Sequence, residues 1–138
     1  MSIAGSVNVS VVLVTDEDVV RARATVRNEM VALKFSLIEQ TKMVTAASEL
    51  ARNTLNYGGG GRAEIERVAR NGKIGLRVSF IDAGPGIADH ELALTDGWTT
   101  GSGMGLGLSG ARRLADEFEL DSAPGKGTTV TITKWKAF

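Results

Sequence analysis

Valine and polar residues partly alternate along VNVSVVLV (residues 7–14), a pattern that predicts a β-strand. The chain then changes period. Thr15 precedes DEDVVRARATVRNEMVAL, and Asp16, Glu17 and Asp18 fall in what would be a first helical turn. Thr15 is therefore expected to N-cap a helix whose dipole those acids suit. A second helix is predicted from Ser36, because S-L-I-E sets Ser36 and Glu39 as a capping box. It continues through QTKMVTAASELARNTLNY until the glycines at 58–61 break it. Val44, Ala47, Ala51 and Leu55 form its apolar stripe; Thr45, Glu49, Asn53 and Asn56 form a polar one.

The second half of the chain reads mainly as strands. RAEIERVA (62–69) and KIGLRVSFI (73–81) flank Arg70-Asn71-Gly72, a strong hairpin signal. DAGPGI (82–87) is a turn, residues 88–96 a short helix, and GWTTGSG (97–103) a loop. Over residues 104–118, Leu108, Ala111, Leu114, Ala115 and Phe118 have helical spacing. FELDSA (118–123) and TTVTITKW (128–135) read as final strands around Pro124-Gly125-Lys126-Gly127. The order β-α-α-β-β-α-α-β-β predicts an α/β (α+β) two-layer sandwich: a mixed, mostly antiparallel sheet with its helices on one face.

Composition narrows the chemistry. With 138 residues and neither an internal repeat nor a low-complexity linker, residues 1–138 are expected to form one domain. Sixteen basic residues balance sixteen acidic ones, which argues against a nucleic-acid partner. The lack of cysteine excludes disulfides, thiolate zinc sites and cysteine nucleophiles. A single histidine, His90, argues against histidine-rich metal sites and a Ser-His-Asp triad. No apolar run reaches ~18 residues and no basic-then-apolar leader is visible, so a cytoplasmic protein without a membrane partner is expected.

Four constellations could carry chemistry. GSGMGLGLSG (101–110) formally matches the dinucleotide fingerprint at Gly105, Gly107 and Gly110. That fingerprint must follow a strand, and Asp96-Gly97-Trp98-Thr99-Thr100 is not one. No Walker motif exists either, since Gly72-Lys73 and Gly125-Lys126 lack the following Ser or Thr. A glycine-rich loop entering a helix still lets backbone amides approach an anion, although alone it equally suits a flexible loop. Glu49 and Asn53 are i and i+4 and share a helix face, a carboxylate base beside a hard oxygen ligand for Mg²⁺ or simply a solvated face. Asp82 ends an apolar strand, where it could accept from a ligand amine, with Gly84 and Gly86 clearing room; a plain turn uses the same residues. Gly127-Thr128 opens the last strand, as any hairpin turn could. Each signal is weak alone; their order within one small domain is not.

Together these motifs resemble the GHKL ATPase superfamily of gyrase, heat-shock chaperone, histidine kinase and MutL. Glu49-x-x-x-Asn53 is similar to its N box, Asp82-x-Gly84-x-Gly86 to its G1 box, and Gly103-Met104-Gly105-Leu106-Gly107-Leu108 to its G2 box. Gly127-Thr128 is similar to the final G-T element. The resemblance implies the Bergerat fold over nearly the whole chain. ELARN before a Tyr-Gly-rich segment, the DGWTTGSGMGLGL loop, LADEF and GKGTTVTITKW are more narrowly similar to RsbT-type serine/threonine switch kinases of the bacterial stressosome.

That resemblance implies ATP and Mg²⁺ as cofactors, STAS-domain scaffold or antagonist proteins as substrates, and a PP2C-type phosphatase as a second partner. By the same resemblance, Glu49 is the base and Asn53 the Mg²⁺ ligand. Asp82 accepts from the adenine amine with Thr128 in support, while Gly84 and Gly86 admit the base. The backbone of Gly103, Met104, Gly105, Leu106 and Gly107 holds the phosphates. Gly110 falls outside the motif and is expected to allow close helix packing. Anti-sigma-factor kinases usually carry an arginine directly before Ser-Gly-Met-Gly; here Gly101 stands there, which favours the switch-kinase branch and leaves the cationic partner of the γ-phosphate open, with Arg52, one turn from Glu49, as one candidate. A detached sensor-histidine-kinase domain is a further alternative. His90 and Trp135 are expected to be structural, and Trp98 to pack in a lid loop.

Overall fold

The computed structural model describes residues 6–88, Leu94 and residues 108–137. Strand β1 (Ser6–Leu13) leads into helices α1 (Asp16–Ala32) and α2 (Leu37–Asn56). A hairpin of β2 (Gly61–Arg70) and β3 (Lys73–Asp82) follows, then α3 (Leu108–Leu114), β4 (Glu117–Ser122) and β5 (Thr128–Trp135). The short helix expected over residues 88–96 lies outside the described residues except at Ala88 and Leu94. Among the described residues no helix is long and apolar enough to cross a membrane.

The caps set the helix starts. The Thr15 side chain accepts from the Asp18 N–H at 3.2 Å, and the Asp18 carboxylate accepts from the Val14 and Thr15 N–H groups at 2.9 and 3.0 Å. These bonds and the Arg21 guanidinium hold the Asp18 carboxyl down to about 2. The capping box on α2 is also present, with Ser36 N–H donating to Glu39 at 2.8 Å and Glu39 N–H to Ser36 at 3.1 Å. Thr15 and Ser36 thus act as their sequence neighbours demand; the box partner Asp18 was legible as T-x-x-D.

The sheet has the order β1-β2-β3-β5-β4, and every described pairing is antiparallel. Asn71 (φ 52°) and Gly72 (φ 78°) both adopt the left-handed region, the signature of a two-residue type I′ turn. That turn fixes the register of β2 on β3 from Arg70↔Lys73 to Gly61↔Asp82. Pairing of β3 with β5 then places Thr128 opposite Asp82 on the other side. Leu13, Ile65, Leu76, Val78, Phe80 and Ile132 point from the sheet into one core, met by Val26 and Met30 of α1 and Met43 and Leu50 of α2. The opposite sheet face is polar, with Arg77 donating to Glu66 at 2.7 Å and Ser79 bonded to Thr131 at 3.1 Å. This is the expected two-layer sandwich.

One helix is shorter than its periodicity predicts. α3 ends at Leu114, and Phe118 belongs to β4. The competing force is the sheet. Asp116 N–H donates to the Thr133 carbonyl at 2.9 Å, and its carboxylate accepts from Trp135 N–H at 2.7 Å and from Lys134 at 3.2 Å. Strand β5 captures the chain there and converts a helical spacing into a strand start. Trp135 packs in β5 as expected, with the Arg70 guanidinium 4.8 Å from its ring centroid.

Candidate active site

Leu50, Asn53, Thr54 and Tyr57 fall at i, i+3, i+4 and i+7 on α2 and so share one face. That face meets Phe80 and Asp82 of β3, Thr128 and Val130 of β5, Ile87, and Leu108 at the start of α3. They bound a narrow cleft that opens to solvent. Its floor is apolar and its polar groups are few and convergent, the usual character of a small-molecule site. Three residues singled out from the sequence, Asn53, Asp82 and Thr128, thus meet across three elements.

Asp82 is the best-defined of them. Its Oδ1 accepts from the Gly84 N–H at 2.8 Å, and the Thr128 N–H also donates to the carboxylate. Burial pushes its carboxyl up, against the opposing pull of those two donors. Thr128 is held in turn by Ser122, whose Oγ lies 2.7 Å from the Thr128 hydroxyl and accepts from the Ile87 N–H at 2.7 Å. The Thr54 hydroxyl donates to the Leu50 carbonyl of its own helix at 3.0 Å, leaving its methyl toward Gly61.

Glu49 lies one turn before Asn53 and outside the cleft lining. Its side chain is 47 % exposed and stands 3.8 Å from Arg52, pointing to solvent rather than lining the pocket. Gly84 and Gly86 occupy the loop after β3. A Cβ on Gly84 would stand 2.7 Å from the Gly58 Cα, and one on Gly86 2.0 Å from the Ala123 carbonyl oxygen. The room beside these two glycines is therefore taken by the chain's own backbone. Gly101, Gly103, Met104, Gly105, Leu106 and Gly107, with His90 and Trp98, lie outside the described residues. Leu108, directly after the glycine-rich run, lines the cleft.

Sequence reasoning missed Tyr57, Gly58 and Ser122. Tyr57 was reachable, being one turn beyond Asn53; its hydroxyl donates to the Gly86 carbonyl at 2.9 Å and ties α2 to the loop after β3. Gly58 and Ser122 matter only through pairing distant in sequence. A Cβ on Gly58 would stand 2.3 Å from Asp82 Cγ, so only glycine lets the end of α2 close on that carboxylate.

Among the described residues an added Cβ on Gly110 would meet nothing within 4 Å, so none of them uses this glycine for the close helix packing expected. The two glycines should respond oppositely to alanine. Gly58→Ala is expected to lower unfolding stability by about 1–3 kcal/mol through overpacking and to displace Asp82. Gly110→Ala, inside a helix with no described atom within 4 Å of the added Cβ, should raise stability by about 0.5–1 kcal/mol. Urea unfolding of both variants checks this, and equal effects would contradict the packing described.

The comparisons with known proteins agree with this geometry. The model of the "Histidine kinase-, DNA gyrase B-, and HSP90-like ATPase" family matches residues 38–137. The chain is 45 % identical to serine/threonine-protein kinase RsbT of Bacillus subtilis over 123 residues, 89 % of this chain and 92 % of the relative. It is 33 % identical over 120 residues to an anti-sigma F factor of a Thermoanaerobacter species, 83 % of this chain and 82 % of that one. Two crystal structures share the fold. The RsbU and RsbW domains of a Mycobacterium tuberculosis protein superpose with TM-score 0.62 at 20 % identity, over 91 % of this chain and 31 % of theirs. The SiaB–SiaC complex of Pseudomonas aeruginosa superposes with TM-score 0.54 at 13 % identity, over 94 % of this chain and 90 % of the matched one. The chain belongs to the histidine kinase-, gyrase B- and HSP90-like ATPase family, and within it to the protein serine/threonine kinases.

Proposed function

We propose that the chain is one ATP-binding domain that transfers the γ-phosphoryl group of ATP to a serine or threonine of a STAS-domain protein. One observation carries this reading: Asn53, Asp82 and Thr128 converge on a single cleft, and Glu49 stands one turn before Asn53 on the same helix. In this reading Asp82 accepts from the adenine amine, with Thr128 beside it. Tyr57 and Gly58 keep the G1 loop, with Gly84 and Gly86, closed on Asp82. The backbone of Gly103, Met104, Gly105, Leu106 and Gly107 holds the phosphates. Glu49 takes the proton of the acceptor hydroxyl; that oxygen bonds to the γ-phosphorus as the bond to the β,γ-bridging oxygen breaks, and ADP leaves.

The donor set fits Mg²⁺ delivered with nucleotide. Among the described residues no group of three or more His, Cys, Asp or Glu side chains could hold a metal by itself. The Asn53 carboxamide supplies one hard oxygen at the cleft, which suits an ion that takes few protein ligands and fills its shell with phosphate and water. When bound, the ion neutralises phosphate charge.

The output in this reading is partner switching in stress signalling, in which the kinase released from its STAS partners activates a PP2C-type phosphatase. The test is transfer of radiolabelled phosphate from ATP to purified STAS proteins. An acid-stable phosphoserine or phosphothreonine is expected. No transfer to folded partners would refute the reading, and an acid-labile product would point to histidine-kinase chemistry. The similarity to anti-sigma F factors favours a second reading, a kinase that binds a sigma factor and phosphorylates an anti-anti-sigma STAS protein; co-purification with a sigma factor selects it.

A further inference from the structure

With the cleft read as the ATP site, a reading on which this rests, we propose that Ser122 is a positioning residue. It takes up the hydrogen of the Thr128 hydroxyl and so makes Thr128 a second acceptor, beside Asp82, for the exocyclic amine of the bound purine.

The sheet register brings these residues into line. Gly61 pairs with Asp82, Asp82 with Thr128, and Thr128 with Ser122, so the four form one row across β2, β3, β5 and β4. Residues directly opposite one another in an antiparallel sheet share a face. Asp82 and Thr128 line the cleft; Ser122 does not. Any effect of Ser122 on a ligand therefore passes through the residues it holds.

The directions of the hydroxyls follow from counting hydrogens. A serine hydroxyl has one hydrogen to give and lone pairs with which to accept. Ser122 Oγ lies 3.0 Å from the Gly127 carbonyl oxygen, 2.7 Å from the Thr128 hydroxyl oxygen and 2.7 Å from the Ile87 nitrogen. The Gly127 carbonyl can only accept, and the Ile87 N–H can only donate. All three contacts are hydrogen bonds together only when Ser122 donates to Gly127 and the Thr128 hydroxyl donates to Ser122. Reversing the bond to Thr128 would set the buried Gly127 carbonyl against a lone pair. That carbonyl is fixed by its turn. Gly127 has φ 76°, and a Cβ there would stand 2.2 Å from the Asp82 carbonyl oxygen, so the turn is closed tightly on β3.

The other hydroxyls of the cleft are committed in the same way. Thr54 donates to the Leu50 carbonyl at 3.0 Å, and Tyr57 to the Gly86 carbonyl at 2.9 Å. With Thr128 turned to Ser122, no hydroxyl among the described lining residues offers its hydrogen to a ligand. At the Asp82 end the ligand meets a carboxylate and a hydroxyl lone pair. An amine, with two hydrogens, can satisfy both; a carbonyl satisfies neither.

The measurement is the ratio of ATP to inosine triphosphate affinity, by calorimetric titration of the native chain and its variants. Ser122→Ala releases the Thr128 hydrogen to turn toward the inosine carbonyl, so the ratio should fall by about three- to tenfold. Ser122→Thr keeps a hydroxyl at this position and should keep the native ratio. Thr128→Val removes the second acceptor and should itself lower the ratio. In that background Ser122→Ala should change the ratio no further, because Ser122 acts through the Thr128 hydroxyl. A purely structural role for Ser122 would weaken both nucleotides alike. An unchanged ratio in Ser122→Ala or in Thr128→Val, or the same effect of Ser122→Ala with valine at 128, would overturn the proposal. A native chain that binds the two nucleotides equally would instead overturn the adenine reading of the cleft.

Discussion

Glu49→Gln should abolish phosphoryl transfer and leave ATP binding intact. Removing a general base slows transfer by ~10²–10⁴-fold. The separation should be clean because of where Glu49 stands. It is outside the cleft lining, so the pocket proposed for adenine should not change. Glutamine has nearly the same helix propensity as glutamate, which spares α2. Among the described residues the only ion pair lost is the exposed contact to Arg52 at 3.8 Å, and such pairs contribute little. Single-turnover transfer and calorimetric titration with ATP measure the two quantities. A variant that phosphorylates at the wild-type rate would remove Glu49 from the role of base.

Asp82→Asn should have the opposite profile, with nucleotide binding lost first. A hydrogen bond to a charged acceptor contributes about 1.5–3 kcal/mol, or roughly 10- to 100-fold in affinity. The carboxylate is held by the Gly84 and Thr128 N–H groups, and the missing side chain of Gly58 leaves the space it occupies. Inosine triphosphate presents a carbonyl where ATP presents the amine, so the native chain should reject it and Asp82→Asn should narrow the difference. Equal losses for both nucleotides would contradict the adenine contact.

The pH dependence has a definite sign. Burial raises the Asp82 pKa, so the carboxylate takes up a proton at higher pH than an exposed aspartate does. ATP affinity should therefore fall as pH drops through that raised value, and the fall should vanish in Asp82→Asn. For stability the linkage runs the other way. Ionised Asp82 costs the folded state its desolvation, a cost absent at low pH that appears as pH rises through the raised pKa.

Much of the fold was legible because its signals are local. Thr15 and Ser36 are caps whatever surrounds them, and Asn71-Gly72 makes a tight turn from its own backbone preferences. Val44, Ala47 and Ala51 are buried, as the period of α2 required. The end of α3 was illegible for the reverse reason. Nothing in LADEF itself stops a helix; the hydrogen bonds from β5 to Asp116 do, and they exist only once β5 has paired.

The site divides along the same line. The sequence by itself determined the chemistry available: a carboxylate and a carboxamide one turn apart on a helix, an aspartate at a strand end, and glycine-rich turns in family order. Only the tertiary structure decided how those groups stand to one another. The β2–β3 register, set by one two-residue turn, carries Asp82 to the end of α2, and β5 brings Thr128 against it. Glu49 and Asn53 are neighbours by helix geometry, yet one is exposed outside the cleft lining and the other lines the cleft, because the Leu50–Asn53–Tyr57 side of α2 turns toward the sheet. Helix period fixes which residues share a face; the packing of that helix on the sheet fixes which of them face the ligand.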